Sequence, residues 1–266
     1  MLSPSVELKV KKVDLRDKSV KCVDELVATE VPIKLYVNGR HVVTLFSLPA
    51  QLKELGVGWL LSKAIVRSVD EVVGIQVKGN NVEIRCRGRV ESRIKTVETT
   101  KLVDSSCGST TEDFLIDRMP KPFVNSDYKV KAEKILRFVK VLNEKPTLFK
   151  LTGGTHSAAV FHVDKLVAFA EDVGRHNAVD KVIGISAMKG IDFSQCVITS
   201  SGRQPANMVL KAARVGIPIV ASIAGPVYSG VDIAIETGVT LICFVRGRRM
   251  NIYSYPERIR LTFQDV

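Results

Sequence analysis

The chain has 266 residues, of which 45% are hydrophobic and 25% are charged, proportions that are typical of a globular protein. No apolar run approaches the roughly 18 residues of a membrane-spanning helix, and the first residues lack the basic and apolar segments of a secretion signal. We therefore expect a cytoplasmic protein without membrane contact. The formal net charge of +11 indicates an anionic partner, unless it only reflects a basic composition shared across the proteins of the organism.

The first hundred residues are rich in predicted β-structure. Residues 31–37 alternate in polarity, and Asn38 and Gly39 form a pair that is typical of a tight hairpin turn. Residues 79–81 indicate a second hairpin turn, and Ser47 with Pro49 favours the start of a helix. The predicted elements are strands 31–37, 41–46, 72–78 and 82–87, and a helix that carries Leu52, Leu55 and Trp59.

The middle of the chain contains the predicted domain boundary. Residues 89–119 show weak periodicity and many Ser and Thr residues, as expected of a connecting segment. We predict a β-rich N-terminal subdomain at 1–103, a connector with a mobile loop around Cys107 at 104–125, and an α/β domain at 126–266.

From residue 126 onward, helical and strand patterns alternate. This order predicts a mostly parallel sheet that is covered on both faces and has one antiparallel edge, because the first two strands are joined by a short link. The predicted helices are 127–143, 177–189, 204–215 and 231–237, and the predicted strands are 158–162, 166–170, 196–200, 217–222 and 240–245.

Polar and glycine-containing runs follow most of these predicted strands. The densest is 171–177, which holds two carboxylates, a guanidinium, an imidazole and an amide in seven residues. In open α/β sheets, ligands bind beyond the carboxyl ends of the strands. We therefore expect one shared pocket formed by the runs 152–157, 171–177, 200–203, 224–226 and 246–249.

Two of these runs favour an anion. Residues 200–203 open a predicted helix, where a glycine would let free N–H groups approach an anion. Residues 246–249 place three arginines around Gly247, and arginine forks suit phosphates. Each run alone is equally explained by a helix cap or a solvated basic turn. Together they favour a nucleotide-like or polyphosphate ligand.

The remaining polar residues allow several roles. Gly153 and Gly154 could bring backbone amides close to a ligand at His156, although a plain turn explains them equally well. His156 and His176 have no third ligand at a suitable spacing, so we expect no structural or catalytic metal and no zinc. Glu171 and Asp172 stand near Arg175, which suits positioning of the loop better than general base catalysis.

The five cysteines are scattered, odd in number and never spaced as CxxC, so we expect no disulfide framework. Cys86, Cys196 and Cys243 lie in apolar runs and are expected to be buried. Cys107 lies in a small, polar run and is the only candidate nucleophile, although an inert exposed thiol explains it as well.

Several motifs resemble one known family, the FdhD formate dehydrogenase accessory sulfurtransferases. They are TGGTHSA at 152–158, EDVGRHNAVDK at 171–181, SGR at 201–203 and TLICFVRGRR at 240–249, supported by NG at 38–39, LP at 48–49 and GWLL at 58–61. The resemblance runs from about 31 to 255, nearly the whole chain, and its 171–181 segment is highly specific.

This resemblance implies a cytidine-deaminase-like, three-layer α/β/α fold without that fold's zinc ligands. It also implies a sulfur carrier. Such a protein accepts persulfide sulfur from a cysteine desulfurase on Cys107, and passes it to the molybdenum or tungsten bis(molybdopterin guanine dinucleotide) cofactor required by formate dehydrogenase. GDP-like nucleotides would mimic that cofactor. The family's cofactor-binding segment is matched by Phe244, Val245, Arg246, Gly247, Arg248 and Arg249. From the other strand-end runs we expect further cofactor-binding residues, namely Ser201, Gly202, Arg203, Gly153, Gly154, His156, Asp172, Arg175, His176 and Asn177.

The chain departs from the family pattern at two places. The Cys-Gly-x-Cys-Gly loop has Thr110 and Thr111 in place of its second cysteine and following glycine, so a two-thiol relay within the loop is excluded. The Glu-Gly pair that usually follows the first helix is replaced by Lys63 and Ala64. One thiol is enough to hold a persulfide, so the expected role is retained.

Three other functions are weighed against sulfur transfer. A cofactor chaperone or guanine-nucleotide-binding module would need no thiol chemistry, and the missing second cysteine favours it. A dedicated nucleic-acid-binding protein would use the positive charge, but the chain has no long Lys/Arg tract and no aromatic sheet motif. A metal-dependent hydrolase would need stoichiometric zinc. For oligomeric state, a homodimer is the default expectation.

Overall fold

The computed structural model describes residues 3–100 and 121–262. Its strands are β1 (Ser5–Asp14), β2 (Ser19–Ala28), β3 (Val31–Val37), β4 (Arg40–Ser47), β5 (Val72–Lys78), β6 (Asn81–Cys86), β7 (Val130–Lys131), β8 (His156–His162), β9 (Lys165–Asp172), β10 (Cys196–Ser200), β11 (Ile219–Ser222), β12 (Thr240–Arg246), β13 (Arg249–Ile252) and β14 (Ile259–Arg260). Its helices are α1 (Leu52–Ser62), α2 (Val90–Thr100), α3 (Ala132–Glu144), α4 (Leu148–Thr152), α5 (Arg175–Met188), α6 (Ala206–Val215) and α7 (Tyr228–Thr237). Three short 3-10 turns lie at Val69–Glu71, Phe193–Gln195 and Pro256–Arg258.

A six-stranded mixed sheet forms the C-terminal half, in the order β13-β12-β11-β10-β8-β9. Strands β10, β11 and β12 pair in parallel, whereas β8 pairs antiparallel with both β10 and β9, and β13 antiparallel with β12. Strands β9 to β12 therefore share one direction, and β8 and β13 run against them. The predicted mixed α/β sheet with an antiparallel β8–β9 link is confirmed.

Alternate residues along each strand pack on opposite faces of this sheet, as the two-residue period of a strand requires. Ala159, Phe161 and Val197 face one hydrophobic cluster, which includes the buried stripe of α3. There Phe138 of α3 stacks on Phe161 with ring centroids 4.2 Å apart. The other face, with Ala158 and Val160, packs against the buried sides of α5, α6 and α7. The result is three layers, α/β/α.

A smaller sheet, in the order β4-β3-β6-β5, forms the N-terminal half. Its two antiparallel hairpins, β3–β4 and β5–β6, are the two that the turn residues predict. Parallel pairing of β3 with β6 joins them, with Leu35 opposite Val82. This long-range pairing was not predicted. Strands β1 and β2 form a separate long hairpin that was also not predicted.

Helix α1 connects the two halves by packing against α5 at two glycines. A Cβ atom on Gly58 would overlap the Asp180 carbonyl, and one on Gly184 would overlap the Glu54 carbonyl. Glycine at both positions therefore allows the two helix backbones to touch. One hydrophobic cluster extends from β3 and α1 into α5 and α6. The division into subdomains at 1–103 and 126–266 stays a prediction.

Several element boundaries differ from the sequence-based expectation. Helix α3 begins at Ala132 and not at 127, because Val130 pairs with Ile259 in the short β7–β14 ladder. Helix α2 occupies part of the expected connector, and Val90 and Ile94 near its start are buried. The proposed Cys107 loop lies outside the described residues. Within the described ranges, no helix is long and apolar enough to cross a membrane.

Candidate functional site

The predicted polar runs meet at one edge of the six-stranded sheet. Because β9, β10, β11 and β12 share a direction, the segments that follow Asp172, Ser200, Ser222 and Arg246 all lie at the same edge. The opposite direction of β8 and β13 brings the starts of those strands, His156 and Arg249, to that edge as well. We call it the strand-end edge. The runs that were expected to share a pocket therefore lie at the same edge, whereas a single pocket shared by all of them stays a prediction.

Asp172 lies behind this edge in a fully buried polar cluster. Its carboxylate forms an ion pair with the equally buried Lys181, with Oδ2 and Nζ 2.6 Å apart. Burial lowers the pKa of Lys181, and the attraction of Asp172 opposes that effect. Four further donors complete the carboxylate: the Ser47 hydroxyl (2.6 Å), the Leu48 amide (3.2 Å), the Gly174 amide (3.0 Å) and the Asn177 side-chain amide (3.0 Å).

Asn177 ties this cluster to the smaller sheet, since its side-chain amide also donates to the Phe46 carbonyl at 2.7 Å. Asp172 and Asn177 were both predicted as cofactor-binding residues, yet the Asp172 carboxylate and the Asn177 side-chain NH2 group are directed to protein partners. Their position favours a structural contribution, in which they hold the loop that begins α5.

Glu171 binds the start of helix α4 through hydrogen bonds. Its carboxylate accepts hydrogen bonds from the backbone amides of Thr147, Leu148 and Phe149, at 2.7 to 3.1 Å, and from the Thr155 hydroxyl at 3.1 Å. These are the first amides of α4, which would otherwise lack partners. The adjacent carboxylates 171 and 172 therefore position two different loops around the strand-end edge.

Arg175, the first residue of α5, lies across the turn that follows β10. A Cβ atom on Gly202 would come within 2.8 Å of the Arg175 side chain, so glycine is needed for this close contact. Burial, with the nearby positive charge of Arg203, lowers the pKa of Arg175. In the described part of the chain, its Nε is buried and makes no hydrogen bond. A buried donor without a partner beside a second cation indicates a place for an anion.

The turn at residues 200–203 is held in place by hydrogen bonds to neighbouring residues. The Gly202 amide donates to Ser200 Oγ at 3.1 Å, and the Ser201 amide donates to the Ser157 carbonyl at 2.9 Å. The Gly202 carbonyl accepts from Ser222 and Gln204, both at 2.8 Å. The expectation that this turn offers free N–H groups was wrong for Ser201 and Gly202, because those two amides are already bonded. It offers the side chains of Ser201 and Arg203 instead.

The turn between β12 and β13 carries the other arginines. Arg246 pairs with Arg249 across the hairpin, and Arg246 Nε donates to the Ile223 carbonyl at 3.1 Å. A cavity of about 220 Å³ is lined by Phe244, Arg246, Arg249 and Asn251. Asn251 was missed by the sequence reasoning. It stands two residues after Arg249, so the strand period would have placed it on the same face had β13 been recognised.

Phe244 adds an exposed ring to this cavity. Its φ of 53° is in the left-handed region, which is unusual for a bulky side chain, and it lies at an irregularity in the β12–β13 pairing. The ring lies against Gly225 and is 40% exposed. An aromatic face beside two guanidinium groups is suited to a ligand with both a planar ring and phosphates.

The other predicted residues divide into exposed and buried groups. Gly247 and Arg248 are exposed in the β12–β13 turn, and Gly153 and Gly154 are exposed after α4. His176 is partly buried in the first turn of α5. Val245, by contrast, is buried in the cluster around α3 and faces away from the cavity.

His156 begins β8 beside the turn at 200–203. Its Nδ1 lies 3.2 Å from Ser201 Oγ, which also accepts the Ser157 amide at 2.9 Å. Burial and the charge of Arg175 lower the pKa of His156, and Asp172 opposes this shift. The ring is therefore neutral at neutral pH.

The described cysteines differ sharply in accessibility. Burial raises the pKa of Cys86 to about 11, and raises that of Cys196 and of Cys243 to about 12. These thiols are poor nucleophiles, since the thiolate is the reactive form. Cys22 is exposed on β2. Cys107 lies outside the described residues.

Among the residues that the structure describes, no three His, Cys, Asp or Glu side chains come close enough together to hold a metal ion.

Together, the fold and the strand-end edge define a three-layer α/β protein with several arginines at one edge of its main sheet. Residues 28–260 match the model of the FdhD/NarQ family, and the chain belongs to this family. It is 38% identical, over 91% of this chain and 95% of the relative, to a sulfur carrier protein FdhD of Methanothermobacter thermautotrophicus. A sulfur carrier protein FdhD of Saccharolobus solfataricus is 35% identical, with 95% and 99% covered.

A solved structure is also similar. It is the crystal structure of a candidate formate dehydrogenase accessory protein from Desulfotalea psychrophila, with a TM-score of 0.77 and 26% identity. The match covers 96% of this chain and 99% of that one. The mixed α/β fold is thus shared across nearly the whole length. The cytidine-deaminase-like detail stays a prediction.

Proposed function

We propose that this protein is a sulfur carrier that serves as an accessory to formate dehydrogenase. In the finer form of the proposal, Cys107 accepts persulfide sulfur from a cysteine desulfurase and passes it to the molybdenum or tungsten bis(molybdopterin guanine dinucleotide) cofactor. Curated relatives that are named sulfur carrier proteins and match over nine-tenths or more of this chain support the first statement.

The observation that carries the proposal is the strand-end edge, where Arg175 lies near Arg203 at the turn after β10, and Arg246 and Arg249 line a cavity with the exposed ring of Phe244. A cofactor with two guanine nucleotides carries several phosphates and several planar rings. Guanidinium groups bind phosphates through charge-assisted hydrogen bonds, and aromatic rings stack on heterocycles. The cofactor is the substrate of this reaction, and the edge has the chemistry to hold it.

The first proposed transfer is an exchange between two thiols. The Cys107 thiolate attacks the terminal sulfur of the desulfurase persulfide, a new S–S bond forms, and the desulfurase cysteine leaves as a thiolate that takes up a proton. The second transfer breaks the new S–S bond and delivers sulfur to the metal. It restores the Cys107 thiol with two electrons that a thiol reductant or the metal itself supplies.

Intact-protein mass spectrometry tests the proposal. After incubation with a cysteine desulfurase and cysteine, the wild type should gain the mass of one sulfur, and a thiol reductant should remove it. Cys107→Ala should gain none. Cys22→Ala is the matched control, because Cys22 is the exposed cysteine among those described, and this variant should load like the wild type. Loading that disappears in Cys22→Ala but persists in Cys107→Ala would contradict the assignment.

A second function, nucleotide or cofactor binding without sulfur chemistry, is favoured by Thr110, which stands where the family pattern has its second loop cysteine. The sulfur-loading experiment, run beside a GDP titration, separates the two functions. Under both functions GDP should bind Cys107→Ala as tightly as it binds the wild type. Only under the carrier function should the wild type also load sulfur in the mass experiment.

A further inference from the structure

His156 and Ser201 form a hydrogen-bonded pair beside the turn at 200–203. Ser201 Oγ accepts the backbone amide of Ser157 at 2.9 Å, so its own proton is free to point elsewhere. The ring nitrogen Nδ1 of His156 lies 3.2 Å from that oxygen. A neutral ring that accepts this proton at Nδ1 must carry its own proton on Nε2.

The charged groups around His156 come from two packed elements. Arg175 of α5 opposes protonation of the ring, and Asp172 of β9 favours it, although Asp172 is already paired with Lys181. Arg203 adds positive charge next to Arg175. The ring is partly buried, and burial also disfavours its charged form. In the free protein, therefore, repulsion from Arg175 and loss of hydration keep His156 uncharged.

An anion bound at the strand-end edge would favour the protonated form of His156. Within the ranges 3–100 and 121–262, the buried Nε of Arg175 has no hydrogen-bond partner, and the Arg175 side chain lies directly on Gly202 beside Ser201. A phosphate held there would neutralise the cation that opposes protonation of His156. It would also place negative charge within reach of the ring.

We propose that His156 is a proton-linked binding residue of the strand-end edge: it is neutral in the free protein and takes up a proton when a phosphate-bearing ligand binds beside Arg175, while Ser201 sets its tautomer. This inference rests on the proposed function, because it takes the ligand to be a nucleotide-bearing cofactor. It adds that binding at this edge is coupled to pH through one identified residue.

Calorimetric titration with GDP, at pH 6.5 to 8 and in two buffers of different ionisation enthalpy, tests the coupling. The wild type should take up protons on binding, and its affinity should fall with rising pH, by at most about tenfold per pH unit for one proton. His156→Asn should lose this uptake and show a weaker pH dependence. Because the GDP phosphate itself titrates near pH 6, the difference between the two proteins is the measured quantity. His162→Asn, at the other end of β8, is the matched control and should behave like the wild type.

NMR spectra of the imidazoles supply a second readout that does not depend on affinity. The chain has four histidines, so the His156 signal can be identified by its absence in His156→Asn. It should show the Nε2-protonated tautomer in the free protein, with a pKa below the ordinary value that rises when GDP is added. In Ser201→Ala the free pKa should be higher and the proton uptake smaller, because the hydroxyl that stabilises the neutral ring is gone.

The outcomes separate this inference from the proposed function. GDP binding without proton uptake, or with uptake that persists in His156→Asn, would overturn the role of His156 and leave the ligand-binding edge intact. No GDP binding to the folded wild type would overturn the nucleotide-binding edge itself, and this inference with it.

Discussion

The buried cluster around Asp172 and the exposed arginines of the β12–β13 turn lie at the same edge of one sheet, yet they use charge in opposite ways. Asp172 directs both oxygens to five protein donors and has no exposed surface. Arg246 and Arg249 are exposed and line a cavity. The run at 171–177 is thus rich in charge because it organises the edge, whereas the arginine turn is suited to meeting a ligand.

Of the changes that test this comparison, removal of Asp172 should have the largest effect, and the effect should be a loss of stability. Asp172→Ala leaves Lys181 as a buried charge without its partner, so we expect the free energy of unfolding to fall by about 3 to 5 kcal/mol. Urea denaturation followed by circular dichroism measures this change. Asp164→Ala is the control, because Asp164 pairs with Lys134 at the surface and should cost less than about 1 kcal/mol. Equal losses in the two variants would refute the assigned role of the buried pair.

Removal of Arg246 should weaken ligand binding and leave stability almost unchanged. Arg246→Ala loses a guanidinium that lines the cavity, so we expect GDP to bind roughly tenfold to a hundredfold more weakly, as for a lost hydrogen bond to a charged group. Stability should change by no more than about 0.5 kcal/mol. Arg137→Ala, on the exposed side of α3, is the control for net charge and should leave GDP affinity unchanged. A similar loss of affinity in both variants would mean that overall charge, and not this cavity, attracts the nucleotide.

Acidification should give the smallest effect, and it acts through His156, which lies within electrostatic reach of Asp172 and Arg175. The pKa of His156 is lowered in the folded chain, so the unfolded chain binds the proton more readily. Stability is therefore fully present above the ordinary histidine pKa of about 6.5 and is lost as pH falls towards the folded value. We expect the urea midpoint to decrease between pH 7.5 and 5.5, and this decrease to be smaller in His156→Asn. An unchanged pH dependence in that variant would show that other groups are responsible.

Local chemistry explains the parts of the fold that could be predicted. Asn38 and Gly39 occupy a tight turn with positive φ, so the β3–β4 hairpin is encoded within a few residues. The alternation of helices and strands after residue 126 likewise predicts the layered sheet, and the sheet direction brings the polar runs to one edge. These features depend on neighbours in the chain, or on a general rule of strand direction.

The partners of the charged residues could not be predicted, because they come from distant segments. Ser47 donates to Asp172 across 125 positions, and Lys211 pairs with Asp180 across 31. Asn251 reaches the cavity only because the short strand β13 pairs back onto β12. No local pattern contains such pairings, since each depends on which surfaces meet when the two halves pack.

The amino-acid sequence alone therefore determined the family resemblance, the class of fold and the edge of the sheet where polar groups gather, since local propensity and strand order are sufficient for these. Only the tertiary structure decided which of those polar groups form hydrogen bonds or ion pairs within the protein. Asp172, Asn177 and the backbone amides of Ser201 and Gly202 have protein partners, and Arg246 and Arg249 line a cavity. Arg175 keeps a buried donor that has no hydrogen-bond partner among the residues the structure describes. The physical reason is that a hydrogen bond or ion pair between distant segments exists only once packing has brought them together and removed the competing water.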